Sequence, residues 1–151
     1  MIIKRSKNPA LFFSKIEKQA IIQAIREAEK KTSGEIRVHL ERKARDNFYE
    51  HAKEIFKKIG MTKTKERNGV LVFISLASRR FAILGDQGIN EKVPEDFWKN
   101  ISSQMQSDFQ EDHFAKGITK AITAAGEQLR EYFPYELDDI NELSDEISFS
   151  F

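Results

Sequence analysis

Oxygen-bearing side chains stand beside glycines at three places in the chain: Ser33-Gly34-Glu35, Asn68-Gly69 and Gly85-Asp86-Gln87-Gly88. Carboxylate, amide and backbone oxygens in glycine-containing loops suit a hard divalent cation, calcium or magnesium. Gly85 and Gly88 allow the backbone to turn so that carbonyls face inward. Glu35, Asn68, Gly85, Asp86 and Gln87 therefore form a candidate metal site, provided the fold brings them together. The competing reading is plain: Gly-Asp-x-Gly is a common turn, and Asn-Gly a common loop. A second acidic group, Asp108, Glu111 and Asp112 with His113 beside it, also has two readings. It is a helix cap among solvated acids, or a second and weaker cation site. The alternate acids and terminal Glu of an EF-hand loop do not occur.

Other chemistries find little support. The chain has no cysteine, which removes disulfides, thiolate zinc sites and cysteine nucleophiles. It has no Gly-x-Ser-x-Gly elbow, no Gly-x-x-x-x-Gly-Lys-Ser/Thr loop and no Gly-x-Gly-x-x-Gly turn. Serine hydrolysis and nucleotide-dependent chemistry are poor fits. His39 falls on the polar side of a strand, His51 on an exposed helix face and His113 in the first turn of a helix. They do not cluster in the sequence, and no catalytic residue is assigned.

The elements that must position the candidate residues follow from hydrophobic period. Ser14-Lys15-Ile16-Glu17 has capping-box spacing, and Ile16, Ala20, Ile21, Ala24, Ile25 and Ala28 make a helical stripe from about 15 to 31. Glu35 to Glu41 alternates strictly, with Ile36, Val38 and Leu40 on one face of a strand. Asp46 is placed to cap a second helix carrying Phe48, Ala52, Ile55, Phe56 and Ile59, and Gly60 to end it. Gly69–Leu76 is nearly continuous apolar sequence, as a strand covered on both faces requires. Arg80–Leu84 returns as a hairpin partner. Pro94 suits the first turn of a third helix with Phe97, Trp98, Ile101, Met105 and Phe109 inward. Asp112 is placed to cap a fourth, which ends before Pro134.

This order predicts an α/β fold: a three-layer α/β/α sandwich with a small mixed sheet of 3–4 strands flanked by about four helices. The first two strands should be parallel through a right-handed crossover, and the third antiparallel to the second. The starts of strands one and two and the end of strand three then share one edge, where Glu35, Asn68, Asp86 and Gln87 can converge. A fourth strand has two sources, the N-terminal arm or the C-terminal tail.

Length and charge complete the frame. The 151 residues match one domain: an arm at 1–13, an α/β domain at 14–134 and an acidic tail at 135–151. Six of the 24 acids and none of the 25 bases lie in the tail, so residues 1–134 carry 25 bases against 18 acids, a net of +7. Such a body attracts anions, but the bases are scattered and give no strong nucleic-acid signal. The longest apolar run, Val70–Ile74, is too short for a membrane span, and the first residues do not form a secretory signal. A cytoplasmic protein is expected.

Taken together, four segments resemble TPM domains. Thr32–Val38 is similar to their first strand, Asn68–Val72 to their second, and Ile83–Ile89 to the glycine-rich turn after their third. Phe109–Ile118 is similar to the junction before their last helix, with Gly126 and Phe133-Pro134 at its end. The resemblance covers about residues 12–134. It implies an α/β sandwich, divalent cation binding, often of calcium, and an acid phosphatase activity reported for plant members. It maps the glycine turn to Gly85, Asp86, Gln87 and Gly88, the strand-two entry to Asn68, and the junction to Asp112. Many relatives carry a signal sequence and a membrane anchor; this chain resembles the stand-alone bacterial type. The family often has an aromatic between the turn glycines, where Asp86 and Gln87 stand here. Three expectations compete: a calcium- or magnesium-binding domain, a metal-assisted phosphatase acting on a phosphate ester, and a non-catalytic or chaperone-like module that binds a protein partner under control of its acidic tail.

Overall fold

Local chemistry starts and stops each element. The computed structural model describes residues 5–136 and 143–151. A four-residue helix α1 (Pro9–Phe12) has Asn8 as its cap. Helix α2 (Lys15–Glu29) begins on the expected capping box: the Ser14 hydroxyl accepts from the Glu17 N–H, and the Glu17 carboxylate accepts from the Ser14 N–H. Strand β1 (Glu35–Glu41) leads to helix α3 (Phe48–Lys58). Asn47, not Asp46, caps α3, its Oδ1 accepting from the Glu50 N–H at 3.3 Å. Gly60 ends α3 at φ 86°, a left-handed conformation that costs glycine little. A 3-10 turn (Met61–Lys63), strand β2 (Gly69–Ser75) and strand β3 (Arg80–Gly85) follow.

The sheet order is β3-β2-β1-β4, where β4 is Ser148–Ser150. β1 is parallel to β2, with Glu35 opposite Gly69, and β3 is antiparallel to β2, with Val70 opposite Gly85. The tail supplies the fourth strand, parallel to β1 along His39–Glu41. The acids Asp138, Asp139 and Glu142 of the tail lie outside the described residues, as do residues 1–4 of the arm.

Two cores lie on opposite faces of the sheet. Ile36, Val38, Leu40, Val70, Val72 and Ile74 pack with Ile21, Ile25, Ile118, Ile122 and Leu129. Leu71, Phe73 and Ala82 pack with Phe48, Ala52, Ile55 and Phe56 of α3. The fold is thus the expected three-layer α/β sandwich, with α3 on one face and α2, helix α5 (Lys99–Gln110) and helix α6 (Phe114–Tyr132) on the other.

Four local readings need correction. Gly85-Asp86-Gln87-Gly88 is not a simple turn: Asp86 caps a short helix α4 (Gln87–Lys92), its carboxylate accepting from the Gln87 N–H at 2.8 Å. The third expected helix starts at Lys99, not at Pro94. Val93 is extended, as a residue before proline prefers, and i→i+3 bonds from Phe97 to Pro94 and from Lys99 to Asp96 make turns before the helix. Asp112 does not cap α6; it ends α5. Its φ is 61°, and the Asp112 and His113 N–H groups donate to the Phe109 and Asp108 carbonyls, the paired bonds of a Schellman stop. His51 is buried, not exposed, against Phe73 at 5.8 Å between centroids.

Candidate functional site

The register places the candidate residues at one end of the sheet. Glu35 begins β1, Asn68 precedes β2, and Asp86 follows β3. The Asp86 N–H donates to the Gly69 carbonyl at 2.9 Å, and the Gly88 N–H to the Arg67 carbonyl at 2.8 Å, so α4 is tied to the loop before β2. Gly88 is required there. A Cβ at that position would lie 2.2 Å from the Glu66 carbonyl oxygen and 2.7 Å from that of Arg67.

Two polar groups occupy this edge. In the first, the Asn68 Nδ2 donates to Ser33 Oγ at 3.3 Å and to Glu66 Oε2 at 3.2 Å, and Ser33 Oγ donates to the same carboxylate oxygen at 3.0 Å. Asn68 is 1% exposed, and its Oδ1 is buried without a hydrogen-bond partner. Leaving such an acceptor unpaired costs on the order of 1–3 kcal/mol. In the second, the Arg67 guanidinium grips Asp86 with two bonds, Nε to Oδ2 at 2.7 Å and Nη2 to Oδ1 at 2.9 Å. Arg67 is itself held at φ 52°. Gln87 is exposed, and its amide nitrogen donates to Glu91 at 3.1 Å.

Glu35 belongs to a different group. It contacts Glu29, whose carboxyl also reaches Asp145 and accepts from the Ile36 N–H at 2.9 Å. Burial, then the hydrogen bond to Asp145, push the Glu29 carboxyl up to about 10. Of the five expected ligands, the structure brings Asn68, Gly85, Asp86 and Gln87 to one loop cluster, while the Glu35 carboxyl is engaged on the α2 side. Ser33 lies at this edge as expected, whereas Glu66 and Arg67 are members of it that the sequence did not single out. The polar loop before Asn68 was visible, but no spacing rule joins Arg67 to a carboxylate nineteen positions on.

The second acidic group does not converge. Asp108 is buried and accepts from Gln104 at 3.4 Å. Glu111 and Asp112 are exposed, with Glu111 3.6 Å from His113 Nδ1. Among the described residues, no group of three His, Asp or Glu side chains could hold a metal ion. A cation at either place would rely on amide, carbonyl and water oxygens beside one or two carboxylates.

Two histidines that are distant in sequence do meet. His39 Nε2 and His51 Nε2 lie 3.4 and 3.3 Å from Glu41 Oε2. The Arg45 N–H donates to His51 Nδ1 at 2.8 Å, so the His51 proton sits on Nε2 and faces Glu41. His39 stacks on Phe73 and lies between the hydroxyls of Ser148 at 2.7 Å and Ser150 at 3.1 Å. Burial lowers His39 to about 4 and raises Glu41. The group is a hydrogen-bonded seam that docks β4 onto β1.

A model of the TPM domain matches residues 6–128. Among solved structures, the NMR structure of the BA42 protein from the psychrophilic bacterium Bizionia argentinensis is similar, with 42% sequence identity and a TM-score of 0.88. The match covers 92% of this chain and 96% of that one. A search of curated proteins returned no match. No helix among the described residues is long and apolar enough to cross a membrane.

Proposed function

We propose, from the premise that this chain belongs to the TPM domain family, that it binds a divalent cation, calcium or magnesium, at the sheet edge where Asn68 and Asp86 lie. The observation that carries the reading is the buried, unpartnered Asn68 Oδ1. A hard cation accepts such an amide oxygen together with carboxylate, carbonyl and water oxygens. Asp86 would supply the carboxylate, and the Glu66 and Arg67 carbonyls lie beside Gly88 in the same loop cluster.

Arg67 is the competitor. Its guanidinium already satisfies both Asp86 oxygens, so a cation must displace it before it reaches that carboxylate. The Arg67 side chain is 44% exposed and has solvent to move into. Binding should therefore be weaker than in a loop with free acids, with the guanidinium swinging outward.

Phosphomonoester hydrolysis is the further step implied by the resemblance. A cation held at this edge would supply Lewis-acid polarisation of a phosphoryl oxygen. Among the described residues, none is assigned there as nucleophile or general acid, so binding is the function we put first.

The test is a calcium titration of metal-stripped, isotope-labelled protein followed by amide shifts. Saturable shifts at Arg67, Asn68, Asp86 and Gln87, with the remote strand ends still, support the reading. Absence of saturable shifts there at millimolar calcium and magnesium contradicts it.

A further inference from the structure

The two edges of the sheet differ. β4 closes one of them with three residues. The other edge is β3, six residues long. The Asp86 N–H donates to the Gly69 carbonyl, so the antiparallel register turns the N–H and C=O groups of Leu84, Ala82 and Arg80 toward β2. Those of Phe81 and Ile83 point away from the sheet, because neighbouring residues of a strand bond to opposite sides. Among the described residues, no hydrogen bond reaches them from another element. The Gly85 carbonyl at the end of the strand accepts from Asn90 Nδ2 at 3.1 Å.

Exposed edges are commonly blunted by a lysine, a proline, a bulge or a very short strand. β4 is short. Arg80–Gly85 contains no lysine or proline, and its pairing with β2 runs without a bulge. Its one charged side chain, Arg80, lies over the Phe48 ring on the α3 face, 4.4 Å from the centroid. Phe81, Ile83 and Leu84 are half-buried, with Phe81 and Ile83 packed on one core and Leu84 on the other. Apolar side chains therefore flank the free backbone groups on both sides.

We propose that β3 is a dimerisation edge that pairs antiparallel with β3 of a second copy, joining the two four-stranded sheets edge to edge. Two features select a second copy. The first is self-complementarity. A two-fold axis at Ala82 sets Phe81 of each copy opposite Ile83 of the other, and the outward N–H and C=O groups of both residues then pair with one another. An axis at Ile83 would need the Gly85 carbonyl, which Asn90 holds. An axis at Phe81 would pair Ile83 with Arg79, whose φ of 52° is not a strand conformation. The second feature is charge. The axis at Ala82 places Arg79 opposite Gly85 of the other copy, just before α4 begins. Arg79 and the Glu91 of α4 are exposed, and neither makes an ion pair among the described residues. The pairing brings these opposite charges to the same end of the interface, once for each copy. It also sets Arg80 across from Leu84 and not from another Arg80.

The test is sedimentation velocity of the full chain from micromolar to millimolar concentration, in chelator-treated buffer so that it stands apart from cation binding. The parent should pass from monomer to dimer, and amide exchange at Phe81 and Ile83 should slow as the dimer fills. Ile83→Pro removes one outward N–H and no bond to β2, as an edge strand allows, and should abolish the dimer. Arg79→Glu and Glu91→Arg, both at exposed positions, should each weaken association by about fivefold or more, since two-fold symmetry counts every exposed ion pair twice. Both changes in one chain should restore it. The proposal is overturned if the parent stays monomeric at millimolar concentration, or if a folded Ile83→Pro protein dimerises as the parent does. It is overturned equally if neither charge reversal weakens the dimer, or if Phe81 and Ile83 exchange in the dimer as they do in the monomer.

Discussion

Glu29 should make the protein less stable as pH rises, and Glu29→Gln should remove that loss. Its carboxyl lies at the end of α2, accepts from the Ile36 N–H and meets Glu35 and Asp145. Burial and these acidic neighbours raise it from 4.5 to about 10. The folded state therefore keeps a proton that the unfolded chain releases above pH 4.5. Stability contributed by this group is complete below that value and falls by about 1.4 kcal/mol per pH unit above it, until the folded carboxyl itself ionises near 10. At pH 7 the accumulated loss is at most about 3 kcal/mol, since relaxation and water entry reduce it. Glutamine reproduces the protonated form: its oxygen accepts from Ile36, and its amide donates toward Asp145. Urea unfolding at pH 5, 7 and 9 reads the effect. The variant should match the parent at pH 5 and exceed it increasingly at pH 7 and 9. Parallel curves for the two proteins, or a variant weaker at every pH, would refute the reasoning.

Three further outcomes follow from the same geometry. Gly88→Ala drives a methyl group into the Glu66 and Arg67 carbonyls, and should cost about 1–3 kcal/mol by overpacking, seen as a lowered urea midpoint. His39, depressed by burial from 6.5 to about 4, gives stability that is complete above pH 6.5 and is lost as pH falls toward 4; His39→Gln should flatten that acid limb in a melting series. Arg67→Ala frees Asp86 from its guanidinium and should raise calcium affinity in a calorimetric titration, whereas equal or lower affinity in a folded variant would show that Arg67 is no competitor.

Much of the architecture was legible because it rests on local period. The stripe through Ile21, Ile25 and Ala28, the alternation of Ile36, Val38 and Leu40, and the apolar run of β2 each report a burial pattern that one element can satisfy. The crossover between β1 and β2 then placed Glu35, Asn68 and Asp86 at one edge by topology alone. What escaped depends on distant partners. The Asp86 carboxylate is read as a loop acid until Arg67 is seen to hold it. Burial of His51 depends on Glu41 and Phe73, which belong to other elements. The fourth strand is three residues long and carries two serines, too short for its period to stand out. Asp112 shows how one acid type serves two ends of a helix: its tolerance of positive φ ends α5, although its position before Phe114 suits a cap.

Cation binding at the Asn68–Asp86 edge is tested most directly by Asp86→Asn. The asparagine keeps a side-chain oxygen to cap α4 but removes the charge a divalent cation needs. Metal-stripped parent and variant would be titrated calorimetrically with calcium and then with magnesium. The parent should bind at least one cation saturably, and a variant that still melts cooperatively should have lost that binding. No saturable heat in the parent, or undiminished binding by Asp86→Asn, would contradict it.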